Sequence, residues 1–249
     1  MHTTIAFCQA SAVTTEENIA GVTDQHARVS GDDIYIGKYN RIVGMFGGGH
    51  STQTLRIVSP SLRRVFSPYV NPLYSEAADA YFFVKPVDKS LNPIALATNE
   101  ALNALMTVSE VHATPRNFCG VNLADGPISP VYGDIRTLVI EADATMTIGV
   151  WTNHSLTLPQ DLPVGRYQVV GAQLRSNNVG IFRLVPLGED YRPGGMIDAG
   201  SKYIDTTGQR EGKQGVWCEF DQLTPPSLDV CMATAGTWYS LKLDLISVG

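Results

Sequence analysis

The sequence predicts an all-β protein made of two similar halves. Short runs of β-branched and aromatic residues alternate with turns that are rich in glycine and proline. This pattern is typical of β-sandwiches and β-barrels. A stretch of the first half also recurs in the second half, with related residues at matching positions. One further segment has the spacing of an amphipathic helix, so we expect two tandem β-barrels with one flanking α-helix.

The repeat relates residues 36–60 to residues 164–186. Both copies begin with glycine, a basic residue and tyrosine, continue to a second glycine, and end with an arginine between apolar residues. The matched positions are Gly37 with Gly165, Tyr39 with Tyr167, Gly44 with Gly171, Arg56 with Arg183 and Val58 with Val185. The first copy is one residue longer between its tyrosine and its second glycine, which is how a β-bulge looks in a sequence. Because residue type and spacing agree together, we favour duplication of one β unit over chance similarity.

The strongest linker signal lies at residues 125–130, where the sequence Asp-Gly-Pro-Ile-Ser-Pro has turn-forming residues at several positions. We therefore predict an N-terminal barrel over residues 1–129 and a C-terminal barrel over residues 130–249. Predicted strands in the first barrel are residues 3–13, 33–46, 53–58, 81–84 and 118–123, with a loop at 14–30. Those in the second are 137–152 (one long strand or a bent pair), the repeat, 216–220, 228–232 and 238–248.

The predicted helix covers residues 92–109. Asn92 can cap it, and Pro93 suits the first helical position. The apolar residues that follow fall at spacings of three and four, as on one helix face; they are Ile94, Ala97, Ala101, Leu102, Leu105 and Met106. We expect this helix to cover the end or the flank of a barrel.

Composition describes a core-forming chain rather than a disordered or nucleic-acid-binding one. Apolar residues make up 44% of the sequence, charged residues make up 17%, and the formal net charge is −6. Since no apolar run has membrane-spanning length and no leader pattern opens the chain, we expect a soluble protein without a cleaved signal. The four cysteines have apolar neighbours, so buried free thiols are the preferred interpretation, although a disulfide stays open.

No residue pattern indicates catalysis or metal binding. The five histidines are His2, His26, His50, His112 and His154, and no two of them have the spacing of joint metal ligands. Glu141 and Asp143 alternate along one strand, where a solvated face is the preferred interpretation. We therefore predict that the chain is not an enzyme, that it needs no cofactor, and that it has no catalytic, cofactor-binding or metal-binding residue.

The two arginines of the repeat, Arg56 and Arg183, are the charged residues of most interest. We slightly favour exposed strand arginines at both positions. The alternative is that such an arginine ties its strand to the neighbouring barrel or to another subunit.

Two β-barrels in tandem, loops rich in glycine and proline, one flanking helix and no catalytic motif together resemble the double jelly-roll major capsid proteins of icosahedral, often membrane-containing viruses. The resemblance is architectural and would cover the whole chain, which is short for that group. It implies two jelly rolls that stand upright in the shell, and homotrimers that form pseudo-hexagonal capsomers. The implied partners are other copies of the chain, minor capsid or penton proteins and an internal membrane, without sequence-specific nucleic-acid binding. The implied location is the virion, after assembly in the host cytoplasm.

Two other classes of function stay open on the sequence. A carbohydrate-binding or host-attachment β-sandwich module would show an exposed aromatic cluster, but Trp151, Trp217 and Trp238 are scattered along the chain. A cupin-like or hydrolytic enzyme finds no supporting motif. For the capsid interpretation we expect contacts made of loops and strand edges, with residues 60–72 and 191–195 as candidates and the helix as a weaker one.

Overall fold

The computed structural model describes residues 1–9, 16–24, 26–48, 54–62, 68–70, 87–88, 92–107, 117–200 and 215–248. Every secondary-structure element in these ranges is a β-strand, so the prediction of an all-β fold is confirmed. Across the same ranges, no helix has the length and apolar character needed to cross a membrane. The predicted strand at residues 81–84 and most of the loop at 60–72 lie outside the described residues.

The first half contains eleven strands in the described ranges. They are β1 (His2–Gln9), β2 (Glu17–Ile19), β3 (Arg28–Ser30), β4 (Asp33–Tyr35), β5 (Arg41–Gly48), β6 (Thr54–Val58), β7 (Tyr69–Val70), β8 (Val87–Asp88), β9 (Ile94–Ala95), β10 (Ala101–Thr107) and β11 (Asn117–Ala124). Strands β2 and β3 lie where the sequence predicts a loop, and the strand predicted for residues 33–46 is divided into β4 and β5 by a turn.

The second half contains eight strands in the described ranges. They are β12 (Arg136–Met146), β13 (Thr152–Ser155), β14 (Arg166–Ser176), β15 (Gly180–Val185), β16 (Gly194–Ala199), β17 (Cys218–Asp221), β18 (Ser227–Met232) and β19 (Gly236–Ser247). The bent pair predicted for residues 137–152 corresponds to β12 and the start of β13.

The two halves have the same order of strands in two layers. The first layer runs β1-β11-β5-β8 in the N-terminal half and β12-β19-β14-β17 in the C-terminal half. The second layer runs β4-β10-β6-β7 and β13-β18-β15-β16, respectively. The N-terminal half has three additional strands, with β3 beside β4, β2 beside β10 and β9 beside β5. The ladders of both layers are antiparallel, and a parallel pair of β14 with β16 joins the layers of the second half into one curled sheet. In each half, therefore, the last strand lies between the first strand and the strand that carries the second glycine of the repeat.

The repeat predicted from sequence corresponds to equivalent strands. Its two copies contribute β5 with β6 and β14 with β15. A β-bulge precedes the second glycine in both copies, at Val43 and at Val170, where the register of each ladder shifts. The extra residue of the first copy is therefore not the bulge. It lies in the approach to the strand, because Tyr39 follows a turn and precedes β5, whereas Tyr167 is inside β14.

A hydrogen-bonded pair of side chains next to this glycine also occurs in both halves. Comparison of the two repeat sequences did not reveal it. The Thr4 hydroxyl donates to Asn122 Oδ1 at 2.7 Å, and Asn122 lies opposite Gly44. The Thr137 hydroxyl donates to Asp244 Oδ1, also at 2.7 Å, and Asp244 lies opposite Gly171. The same three-strand contact thus occurs once in each half.

The predicted helix is wrong. Its region forms β9 and β10 within the described residues, and residues 108–109 lie outside them. Asn99 sits between these strands with a φ of 60°, a left-handed conformation that interrupts any helix. Strand β10 pairs with β2, β4 and β6, and Leu102 and Ala104 alternate into the core. Tertiary strand pairing therefore overrides a local helical spacing.

Each half has its own apolar core, and a third core is shared. One cluster fills the N-terminal half and another fills the C-terminal half. The shared cluster combines Ala6, Cys8, Val22, Phe46 and Phe118 of the first half with Val179, Ile181, Cys231 and Ala233 of the second. Its members come mainly from β1, β5 and β11 on one side and from β15 and β18 on the other. The first layer of the N-terminal half therefore packs on the second layer of the C-terminal half.

The cysteines and the strand ladders bear on two further expectations. The four cysteines are buried and free, as the sequence predicts. Among the described strands, every ladder joins strands on the same side of residues 125–130. The domain boundary at 129/130 itself stays a prediction.

Candidate functional site at the junction of the two halves

Arg183 is buried at the centre of the junction. In β15, Phe182 and Leu184 point into the C-terminal core, so the alternate residues Ile181 and Arg183 point towards the N-terminal half. Arg183 Nε donates to Asp229 Oδ2 at 2.9 Å, and its other nitrogens form a two-bond contact with Asp24. Only 3% of the Arg183 side chain is exposed. The favoured interpretation, an exposed strand arginine, is therefore wrong here, and Arg183 instead ties its strand to the other half of the chain, as in the alternative interpretation.

Aromatic packing completes the surroundings of this guanidinium. Its central carbon lies 4.0 Å from the centroid of the Trp151 ring, a cation–π contact. Asn153 Nδ2 donates to the second oxygen of Asp229 at 2.7 Å. Both carboxylates and the guanidinium thus have partners, which buried charges require.

Arg56, the matching residue of the first copy, is also buried, with 7% of its surface exposed. It pairs with Glu16, which directly precedes β2. Since β2 and β6 both pair with β10, this ion pair joins neighbouring strands of one layer rather than the two halves. Exposure was therefore the wrong prediction for both arginines, and the repeat preserves the arginine but not its role.

Arg192 makes a second tie across the junction. Its carbonyl accepts a hydrogen bond from the Thr4 amide at 2.8 Å, and its amide donates to Thr3 Oγ1 at 3.0 Å. Its guanidinium lies 2.9 Å from His26 Nε2. Residues 191–195 are all buried, so the prediction that this loop is an outward contact surface is wrong. The loop is used instead inside the chain, between β15 and β16.

The charges at this tie favour a neutral His26. Desolvation and the neighbouring Arg192 guanidinium lower the pKa of His26, and the nearby Asp24 only partly opposes this. A neutral imidazole nitrogen can accept the hydrogen bond of Arg192, whereas an imidazolium cannot. The pKa of Arg192 is lowered as well, by burial and by Arg183.

A cleft of about 640 Å³ opens beside these ties. Its floor consists of buried residues of β1 and β11, including Ile5 and Leu123. Its walls carry Tyr35, with the Arg28 guanidinium 4.6 Å from the ring centroid, and the loop at Lys38 and Tyr39. The volume is that of a small-ligand site.

Asp190 of the C-terminal half closes one side of this cleft. Lys38 Nζ lies 2.9 Å from its carboxylate, and the Tyr39 hydroxyl donates to its carbonyl oxygen at 3.3 Å. The hydrogen bond between Lys38 and Asp190 raises the pKa of the amine and lowers that of the carboxyl. These charges are exposed and already paired, so the cleft offers aromatic faces and polar edges rather than a strong charge.

A third contact across the junction is aromatic. His2 packs edge-on against Trp217, with ring centroids 5.1 Å apart, and both rings are fully buried. Burial lowers the pKa of His2 to about 3, and the nearby amino terminus adds to this effect. Because Trp217 lies in the C-terminal core and Trp151 lies under Arg183, these tryptophans are packing residues rather than an exposed aromatic patch.

The described residues give no constellation for hydrolysis or metal binding. No group of three or more histidine, cysteine or acidic side chains is placed to hold a metal within those ranges, and His50 and His112 lie outside them. Burial raises the pKa of Cys119 to about 12 and also raises that of Cys218, which keeps both as thiols. Glu141 and Asp143 are exposed, as predicted. The expectations that the chain is not an enzyme and needs no cofactor stay predictions.

Sequence reasoning singled out one member of the junction, Arg183, through the repeat. It assigned no role at the junction to Asp24, His26, Asp190 or Arg192, which lie in loops with no periodicity or motif. Their proximity depends on how the halves pack.

Comparison with protein-family models and with curated protein sequences found no match for this chain.

Proposed function

We propose that the chain is a double jelly-roll major capsid protein, a structural subunit that self-assembles as a homotrimer into the pseudo-hexagonal capsomers of an icosahedral viral shell. Residues 1–129 and 130–249 form its two jelly rolls. Other copies of the chain are its main partners in the virion, with minor capsid proteins and an internal membrane as further partners.

The observation that carries this proposal is the strand order shared by the two halves. A jelly roll is an eight-stranded, two-sheet fold that is common in viral capsids and also occurs in lectins and cupins. In each half, four strands of each layer follow the same order with the first strand beside the last strand, and the N-terminal half adds β2, β3 and β9 to its layers. The repeated bulge and the repeated Thr–Asn/Asp pair add to this support, because they occur at equivalent places in the two halves.

The junction supports a structural role for the pair of barrels. A shell subunit has to hold its two barrels in a fixed relation, and here a shared apolar cluster and a buried ion-pair cluster both cross the junction. Duplicated barrels suit a ring, because two like barrels in each of three copies give a near-sixfold outline.

Light scattering after size-exclusion chromatography tests the proposal on the purified full chain. The chain mass is 27.0 kDa, so we expect a species of about 81 kDa, three times that mass. Electron microscopy of this species should show a six-lobed ring. A monodisperse, folded monomer at high protein concentration would contradict the proposal.

The cleft favours a second candidate, a carbohydrate-binding or host-attachment module. Tyr35 and Tyr39 line it together with Asp190 and Asn99. Aromatic faces beside carboxylate and amide groups suit a neutral, hydroxyl-rich ligand. In this case a glycan array should give a hit that is lost on Tyr35→Ala and kept on Tyr132→Ala, since Tyr132 is exposed outside the cleft. If no glycan on the array binds, the capsid function remains the one candidate.

A further inference from the structure

Strand β12 forms one end of the sheet of the C-terminal half. Its 11 residues pair with β19 on one side, and no other strand among the described residues pairs with it. An end strand presents a row of unpaired backbone N–H and C=O groups, onto which a further strand can be added. Natural proteins commonly keep such edges short or covered, so an open edge of this length is an unusual feature.

The equivalent edge of the N-terminal half is covered. Strand β1 has the same place in its layer as β12. On the outer edge of β1, the Thr4 amide donates to the Arg192 carbonyl at 2.8 Å. Further along, the Cys8 amide donates to the Ala20 carbonyl at 2.9 Å. Residues 2–8 are all buried, so other parts of the same chain occupy this edge.

The backbone groups that face the open edge of β12 follow from this equivalence. Thr4 and Thr137 have matching places, since each donates its hydroxyl to the residue opposite it on the last strand of its half. Because the Thr4 amide faces the outer edge of β1, the Thr137 amide faces that of β12. In an antiparallel ladder alternate residues share this direction, so the amides of Val139, Glu141 and Asp143 also face the open edge.

The side chains of β12 are accessible, in contrast to those of β1. On the outward face, Glu141 and Asp143 are exposed and Val139 is 44% exposed. On the inward face, Leu138 and Ala142 pack against the C-terminal core and are still only partly buried. The core is therefore incompletely covered along this edge, and an added strand would cover it.

A cavity of about 350 Å³ adjoins the start of the edge. Leu138 lines it together with the apolar residues Leu162, Pro163 and Val164. Val164 is 82% exposed, so its apolar surface is available to a partner. A strand added along β12 places its inward side chain at Leu138 next to this cavity. A large apolar side chain suits that position.

The outward side chains along the edge are acidic. Glu141 and Asp143 follow one another on this face, whereas Lys242 lies opposite Val139 on β19, away from the open edge. Opposite charges on neighbouring strands stabilise their pairing, and like charges opposite each other destabilise it. A second copy of β12 would bring the same acidic residues to the edge. The charges therefore favour a different partner, with basic residues at these positions.

We propose that the open edge of β12 binds an extended segment of a partner protein by antiparallel strand addition. Its inward residue at Leu138 is large and apolar, and its outward residues at Glu141 and Asp143 are lysine or arginine. From N to C terminus the segment therefore reads basic-x-basic-x-x-apolar. The antiparallel direction follows the ladders of this layer. The interaction goes beyond the proposed capsid role and does not require it, because one copy presents the whole edge.

A synthetic peptide tests the pattern on the purified full chain. The probe is fluorescein-Lys-Val-Lys-Val-Thr-Leu-Thr-amide, and fluorescence anisotropy measures its binding. Hydrogen exchange followed by mass spectrometry should show slower exchange in residues 137–143 when the probe is bound. Exchange in β13, the other end strand of the same sheet, should not change. Replacing both lysines of the probe with glutamate should weaken binding by about tenfold or more.

Two N-methylated probes distinguish strand addition from attraction of charges alone. Methylating the amides of the second lysine and the first threonine removes donors that face β12, and should weaken binding by about tenfold or more. Methylating the two valines, whose amides face away from β12, should leave binding unchanged.

A proline on the chain makes the same test from the other side. Val139→Pro removes an amide that faces the open edge, while the ladder with β19 keeps its hydrogen bonds. This variant should lose the probe, and the matched control Val139→Ile should retain it. Circular dichroism establishes that both variants are folded. If Val139→Pro does not fold, the two methylated probes supply the comparison on the wild-type chain.

Four results would overturn the inference. They are no binding of the lysine probe, equal binding of the lysine and glutamate probes, equal binding of the two methylated probes, and slow exchange in residues 137–143 of the chain alone that strengthens with protein concentration. The last would show that a second copy occupies the edge. Light scattering keeps the capsid proposal separate: a monomer that binds the probe supports this inference and contradicts that proposal, and a trimer that does not bind it has the opposite meaning.

Discussion

Arg183 is the residue on which the two halves most depend electrostatically. Its guanidinium is shared by Asp24 of the first half and Asp229 of the second, and all three side chains are at most 10% exposed. Removing one member of a buried ion-pair cluster leaves uncompensated charge and is much more harmful than removing an exposed pair. The stability of the chain should therefore depend strongly on this one side chain.

Replacing Arg183 with methionine should lower the free energy of unfolding by about 3–5 kcal/mol, because it leaves two buried carboxylates without their cation. Chemical denaturation measures this. Arg166→Met is the matched control, since the pair of Arg166 with Glu219 is exposed and should contribute less than about 1 kcal/mol. A triple variant that also carries Asp24→Asn and Asp229→Asn should recover part of the loss. Equal effects for Arg183→Met and Arg166→Met would contradict the burial of this cluster.

His2 makes folding sensitive to acid. Its pKa is lowered to about 3 by burial, below its ordinary value of 6.5. Above pH 6.5 the imidazole is neutral in both states, so its contribution to stability is fully present. As the pH falls through 6.5 towards 3, the unfolded chain binds a proton that the folded chain does not, and stability falls by about 1.4 kcal/mol per pH unit.

The variant His2→Phe should remove this slope, because phenylalanine retains the ring packing on Trp217 without a titrating group. The measurement is the difference in unfolding free energy between variant and wild type from pH 7 to pH 4. His26→Gln should change the slope much less, since His26 is exposed. A constant difference across this pH range would show that His2 titrates alike in the folded and the unfolded chain, and would contradict its lowered pKa.

Pairing with neighbouring strands determines the secondary structure of β10. Its apolar residues fit a helical spacing, yet three strands pair with it and Asn99 adopts a left-handed turn just before it. The Asn99 amide donates to the Gly37 carbonyl at 2.7 Å, which ties this turn to the start of the repeat. Helix and strand give opposite expectations for substitutions at Asn99.

The variant Asn99→Ala should destabilise the protein by about 1 kcal/mol, because alanine is strained at positive φ. Asn99→Gly should be neutral or stabilising, since glycine adopts this conformation freely. Thermal unfolding of both variants is the measurement. In a helix the order would be reversed, because alanine is the best helix former and glycine a poor one. Stabilisation by alanine would therefore contradict the strand assignment.

At the scale of the whole molecule, the shared cluster makes the two halves one folding unit. Phe46 and Ile181 are completely buried, although they come from different halves. Separating the halves would expose this apolar surface and break the ion-pair cluster at the same time. The two halves should therefore unfold in one cooperative transition rather than in sequence.

Two buried thiols report on this cooperativity, Cys119 in the first half and Cys218 in the second. Pulsed thiol labelling over a denaturant series should expose both at the same midpoint. Ile181→Ala should lower the free energy of unfolding by about 2–4 kcal/mol, because it opens a cavity in the shared cluster. Both labelling midpoints should therefore move together to lower denaturant concentration. Exposure of one thiol at a lower denaturant concentration than the other would instead indicate two independent domains.

The properties that depend on local pattern could be predicted from the amino-acid sequence. Strand periodicity and turn residues predicted the all-β class, the repeat located β5 with β6 and β14 with β15, and apolar neighbours predicted the buried free cysteines. These features are readable because side-chain alternation and turn chemistry are set by adjacent residues.

Features that depend on partners distant in the chain could not be predicted in this way, because they arise from long-range packing. Residues 94–106 contain β9 and most of β10 instead of a helix because other strands supply their hydrogen bonds. Arg183 is buried because β15 is covered on both faces, whereas an isolated strand would expose one of them. The contacts of Asp24, His26 and Arg192 form for the same reason, because one layer of the N-terminal half packs on one layer of the C-terminal half. No local signal in the sequence encodes that packing.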